Sequence, residues 1–138
     1  MNKIKVVNNR IIPFISDDVT TYDNSIIFKE NGNYFIEYIA SRDIDISINI
    51  CDNKCIHLFE YSSNENISFN INYELGNNSS LILSKFYSNN KCNDYSIINL
   101  NKKGANVKYN FSCICDNDNF YKIDIHHLDK DTSSDIFN

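Results

Sequence analysis

Ile44-Asp45-Ile46-Ser47-Ile48-Asn49-Ile50 alternates without a break, with four isoleucines at one parity and Asp, Ser and Asn at the other. Successive side chains of a strand point to opposite faces, so this stretch reads as a half-buried β-strand. Working outward, similar runs cover Cys55 to Tyr61, Asn66 to Leu75, Leu81 to Tyr87, Tyr95 to Leu100, Ala105 to Cys115 and Tyr121 to Leu128. Each is rich in Ile, Val, Phe and Tyr, which suit a pleated surface. No window carries a sustained helical stripe with caps, so the chain is predicted to be all-β with no long helix.

The runs are separated by Asn31-Gly32-Asn33, Asp52-Asn53-Lys54, Ser62-Ser63-Asn64-Glu65, Gly76-Asn77-Asn78-Ser79, Asn89-Asn90-Lys91, Lys102-Lys103-Gly104 and Asp116-Asn117-Asp118-Asn119. Asn and Gly tolerate the left-handed backbone that sharp reversals need. With Gly at 3 and Pro at 1 against 24 Asn, asparagine takes over most of the turn work. Strand starts fall 10 to 14 residues apart, and alternate ones, such as Cys55, Leu81 and Ala105, lie about 25 apart. This spacing fits a parallel β-solenoid whose coils each give two strands to two stacked faces, and equally an antiparallel β-sandwich or jelly roll. In a solenoid, Gly76 to Leu81 and Lys103 to Val107 would occupy the same corner one coil apart.

At 138 residues the chain is read as one domain, residues 1–138. Hydrophobic residues at 42% are enough for a core. The net charge of −5, with no basic stretch longer than Lys102-Lys103, argues against a nucleic-acid surface. Apolar windows such as Ile11-Ile12-Pro13-Phe14-Ile15 are far too short to span a bilayer, and the first residues lack a signal-peptide core, so a cytoplasmic location is expected. Five cysteines, an odd number without scaffold spacing, are expected to be reduced.

From about Phe69 onward the chain resembles the SufB/SufD family of the SUF iron–sulfur cluster assembly machinery. The resemblance rests on Tyr73-Glu74-Leu75-Gly76-Asn77-Asn78-Ser79-Ser80-Leu81, on the Gly-Ala corner of Asn101-Lys102-Lys103-Gly104-Ala105-Asn106-Val107, and above all on Ile125-His126-His127-Leu128-Asp129-Lys130-Asp131-Thr132-Ser133-Ser134. In the last stretch His127 is followed five positions later by Thr132 and two after that by Ser134, as in the family pattern. The resemblance implies a right-handed parallel β-helix. It implies a SufD-like, non-catalytic scaffold acting through protein contacts. Its partners would be a SufB/SufD-type subunit or a second copy in a homodimer, together with the SufC ATPase. No resident cofactor is implied, only an iron–sulfur cluster or iron handled transiently. The family continues past the Thr-x-Ser stretch into further coils and a helical SufC-docking region, whereas this sequence runs to Asn138, so either a truncated chain or a pared-down relative is expected. The contrasting reading is a small all-β module that binds a ligand or protein and is unrelated to iron–sulfur chemistry.

Cys113 and Cys115 share a strand face with Val107, Tyr109 and Phe111. Two thiolates with His127 nearby suit iron or zinc, while the apolar neighbours suit plain core packing. Cys51 and Cys55 bracket a turn at a spacing with little ligand specificity. Alternation with Ile123 and Ile125 turns His127 inward, either as a core histidine bonded to Thr132 or Ser134 or as a metal-handling or interface residue. Asp129, Asp131 and Asp135 read as a solvated turn without a calcium-loop signature. No nucleophile–base pairing emerges, and glycines at 32, 76 and 104 alone cannot form a phosphate-binding loop. The chain is therefore expected not to be an enzyme.

Overall fold

The structure is a computed structural model and describes residues 2–13, 16–39, 43–63, 66–88, 91–113 and 120–137. The described residues form strands and no helix. In chain order the strands are β1 (Asn2–Val7), β2 (Arg10–Ile11), β3 (Val19–Thr21), β4 (Ser25–Phe28), β5 (Gly32–Ile39), β6 (Ile44–Ile50) and β7 (Cys55–Ser62). They continue with β8 (Asn66–Leu75), β9 (Ser80–Tyr87), β10 (Lys91–Leu100), β11 (Asn106–Cys113), β12 (Phe120–His127) and β13 (Ser133–Phe137).

From β4 onward successive strands alternate between two sheets. One sheet runs β13-β11-β9-β7-β5-β1-β2 and the other β12-β10-β8-β6-β4-β3. Neighbours in the stack are parallel, which makes the fold a β-solenoid of about four turns and decides against the sandwich. Among the described residues antiparallel pairing is confined to the N-terminal end, where β2 folds back on β1 and β3 on β4. The β1–β2 reversal is Asn8-Asn9, with both residues at positive φ (50° and 64°), as a two-residue hairpin of the primed type requires.

Inward positions stack from coil to coil. Ile44, Ile46, Ile48 and Ile50 are all buried, and they align with Phe69, Ile71, Tyr73 and Leu75 of the next coil. Fully burying each such side chain contributes about 1.5–3 kcal/mol, and the sheets close on each other through these rows. Outward positions carry Asp45, Ser47 and Asn49 over Asn70, Asn72 and Glu74. Asn99 Nδ2 donates to Asn72 Oδ1 at 3.0 Å and Glu74 Oε1 at 2.8 Å, so the polar face is tied along the axis as well.

The corner from the second sheet back to the first is the tight one. Asn53, Asn78, Gly104 and Asp131 all have positive φ (62°, 53°, 75° and 58°) and occupy equivalent places in consecutive coils. Asn53 N–H donates to Asn77 O at 2.8 Å, Asn78 N–H to Lys103 O at 2.8 Å and Gly104 N–H to Lys130 O at 3.3 Å. Short polar side chains and glycine are what this conformation admits. The two Gly-containing loops thus do share one corner, as the solenoid reading required.

Gly76 is fixed by space: a Cβ there would lie 2.8 Å from Asp52 N and 3.0 Å from Cys51 C, both backbone atoms. Gly76→Ala is expected to cost about 2–3 kcal/mol, whereas Asn53→Gly, which relieves a positive φ, changes stability by less than about 0.5 kcal/mol. Urea denaturation midpoints read this directly, and equal midpoints for Gly76→Ala and the parent would refute the steric account.

Candidate functional site

Two inward columns break the apolar rule. Ile36, Glu60, Lys85 and Phe111 stack across β5, β7, β9 and β11, and beside them stand Tyr38, Ser62 and Tyr87. Facing them from β10 are Asp94 and Ser96. Glu60, Lys85, Asp94 and Ser96 are exposed by at most 2%, so three ionisable groups lie in the interior. Taking each ion out of water costs several kcal/mol unless its partners are well placed.

Here they are. Lys85 Nζ donates to Asp94 Oδ2 at 3.0 Å and to Ser96 Oγ at 2.5 Å, and Ser96 Oγ donates to Asp94 Oδ1 at 2.7 Å. The rings of Tyr73, Tyr87 and Tyr109 surround the ammonium, with centroids 5.4, 5.8 and 5.6 Å from Nζ. The two oxygens of Glu60 accept one short bond each, from the hydroxyls of Tyr38 and Tyr73. Among the described residues, Tyr87 Oη is a buried side-chain polar atom with no hydrogen-bond partner.

The environment moves the proton affinities strongly. Burial, reinforced by nearby carboxylates, holds the phenols of Tyr38, Tyr73 and Tyr87 well above their ordinary value. Burial likewise raises the Glu60 carboxyl, while Lys85 and the two tyrosine donors pull the other way. For Lys85, burial opposes the charge but Asp94 overcomes it, so the ammonium is held above its usual range.

An open cleft of about 420 Å³ lies at the last coil between Tyr109, Phe111, Tyr121, Ile123 and Ile136, and the buried Asp94 is part of its lining. His127 belongs to the same coil. It stacks on Leu100, an inward position, but it is exposed, with no described coil over it, and does not lie in the core. Its Nδ1 meets Thr132 Oγ1 at 2.7 Å and its Nε2 meets Ser134 Oγ at 3.0 Å. Thr132 Oγ1 also donates to Asp129 O at 3.3 Å, which leaves its oxygen to accept from Nδ1–H of His127. Both ring nitrogens are thus occupied in bracing β12 against β13.

Of the other candidate ligands, Cys115 lies outside the described residues, as does the side chain of Cys113. Cys51 and Cys55 are free thiols, the first half-buried and the second exposed. Among the described residues no group of three or more His, Cys, Asp or Glu side chains is placed to hold a metal ion. No helix among them is long and apolar enough to cross a membrane.

The outer face of the first sheet carries a second feature. Phe35, Tyr61 and Phe86 stack along the axis at 6.4 and 6.1 Å, beside a groove of about 480 Å³ that also takes in Phe59, Ser84 and Asn110. Ser84 Oγ lies 3.5 Å from His57 Nε2, too long for an activated nucleophile, and the ring lies against Phe59.

Sequence reasoning passed over Glu60, Lys85 and Asp94. The signal was present: Leu81, Leu83, Lys85 and Tyr87 share one parity, as do Ile56, Leu58 and Glu60, and Cys92, Asp94, Ser96 and Ile98. Comparison with family models, curated proteins and solved structures finds no match to the chain.

Two outcomes follow from the buried tyrosines. A phenol that ionises near pH ~10 in the unfolded chain but not in the fold adds stability in full below that pH, and the contribution is lost as pH rises above it. Alkaline titration should therefore show a steep late tyrosinate step coincident with loss of the β circular-dichroism signal; smooth titration of all tyrosines in a folded protein would contradict it. Tyr73→Phe, which strips Glu60 of a donor, is expected to cost about 1–3 kcal/mol, and Tyr87→Phe to be neutral or stabilising. Thermal unfolding of the pair decides, and the reverse order would count against the network.

Proposed function

We propose that the chain is a non-catalytic, SufD-like component of the SUF iron–sulfur assembly machinery, a cytoplasmic β-solenoid that works as a protein-interaction scaffold. The observation that carries this reading is the linkage of His127, Thr132 and Ser134, the residues of the family-like pattern, into one hydrogen-bonded brace on the last coil. With both imidazole nitrogens engaged, His127 supports the architecture of that coil and is poorly suited to seize a metal ion. The parallel stack, the Gly76 and Gly104 corners and the spacing of His127 all agree with the resemblance on which the reading rests.

The last coil is also the natural contact surface. Ile136 and Phe137 are exposed by 51% and 55%, Tyr121 by 37%, and β12 and β13 each have one sheet edge unpaired among the described residues. Unpaired edges next to apolar side chains favour strand-to-strand association. The partner is a SufB/SufD-type subunit or a second copy, with the SufC ATPase joining the assembly and iron or a cluster passing through as cargo. The aromatic groove at Phe35, Phe59, Tyr61 and Phe86 favours a second reading, a ligand- or protein-binding module without iron–sulfur chemistry.

Co-expression with a SufB-type and a SufC-type subunit, followed by size exclusion with light scattering, tests the proposal. A stoichiometric complex or homodimer is expected, weakened at least tenfold by Ile136→Asp. A chain that stays monomeric and elutes apart from both subunits would refute the scaffold reading. Anaerobic iron and sulfide reconstitution of the parent and of Cys113→Ser/Cys115→Ser then reports whether those thiols hold the cargo.

A further inference from the structure

The interior ion pair has the makings of a covalent bond. We propose that Lys85 and Asp94 condense to an intramolecular isopeptide bond between Nζ and Cγ, tying β9 to β10 across the inside of the solenoid. Three observations bring the reagents together. The amine and the carboxyl group are already in contact at 3.0 and 3.3 Å. Both are buried, with exposures of 2% and 1%, Asp94 also lining the cleft of the last coil, and Tyr73, Tyr87 and Tyr109 surround the ammonium. Finally, the Ser96 hydroxyl bridges them, accepting from Nζ at 2.5 Å and donating to Oδ1 at 2.7 Å.

Each feature answers a requirement of amide formation. Fixed contact replaces an encounter between two groups by an intramolecular step. Exclusion of water favours the condensation product and shrinks the preference of the pair for its charged form over the neutral amine and acid. The nitrogen of the ammonium sheds two protons as the C–N bond forms and a C–O bond of Asp94 breaks; both protons end on the departing oxygen, which leaves as one water. Ser96 is the relay between nitrogen and oxygen. Glu60 faces Lys85 across the β7–β9 pair with both oxygens held by Tyr38 and Tyr73, and so acts on the site through its charge. No oxidant, metal or second substrate enters the balance.

Intact-mass spectrometry of the purified, denatured full chain is the test. The parent is expected to weigh one water less than its sequence, and cleavage after Lys91 should leave the Lys85 and Asp94 peptides joined as one branched species. Lys85→Arg and Asp94→Ala should both return to full mass, and Ser96→Ala should slow the mass loss by about 10²-fold. A parent that keeps its full mass after prolonged incubation overturns the proposal. So does equal water loss in Lys85→Arg, which would mark a cyclised aspartyl residue. Should a variant fail to fold, the presence or absence of the branched peptide in the parent decides the matter by itself.

Discussion

Hydrogen bonds running along the axis are the constraint from which the rest of the solenoid follows. Each inner strand has its N–H and C=O groups satisfied by the coils on either side, so every residue must sit over its counterpart in the next coil. Side chains are thereby sorted into columns. Phe28, Ile50, Leu75 and Leu100 form one such column, and His127 stands at its end. A column leaves little freedom in what it accepts: an inward residue must be apolar or must find all its partners inside.

The Lys85–Asp94–Ser96 and Glu60–Tyr38–Tyr73 sets meet the second condition almost completely. Their donors and acceptors are matched except at Tyr87 Oη. Interiors of low dielectric make such sets costly when half satisfied and selective when complete. Lys85 and Asp94 come from opposite sheets, so only one relative placement of β9 and β10 buries both without a penalty. The polar core therefore fixes how the two sheets face each other, a choice that the interchangeable isoleucines elsewhere leave open.

Much of this was legible before the structure. The parity of Ile44 to Ile50 gave the inward face, and the recurrence of Gly76 and Gly104 marked one corner. Direction was not legible, because alternation tells which side of a strand is buried and is the same for parallel and antiparallel neighbours. The register offsets of 24, 25, 26 and 27 residues between successive strands of the first sheet, once seen, explain why the spacing looked only loosely periodic. Lys85 and Glu60 are not legible because, inside runs recognised by their apolar members, a charged residue at an inward parity shows no role until its partner is known. Asn8-Asn9 was missed as a hairpin, although two asparagines between Val6-Val7 and Arg10-Ile11 are a turn signal of the kind credited elsewhere in the chain. The family-like His127 pattern was visible, but its role as a brace needed the positions of Thr132 and Ser134.

The antiparallel hairpins at the N-terminal end also bear on assembly. There β2 pairs with only Val6 and Val7 of β1, and β3 with Ile26 to Phe28 of β4, in segments of two and three residues that run antiparallel and so do not template a parallel coil. A parallel partner for β12 or β13 has no match in β2 or β3. Head-to-tail stacking of the described coils, the route by which repetitive β-structures become fibres, is thus opposed where β2 and β3 lie.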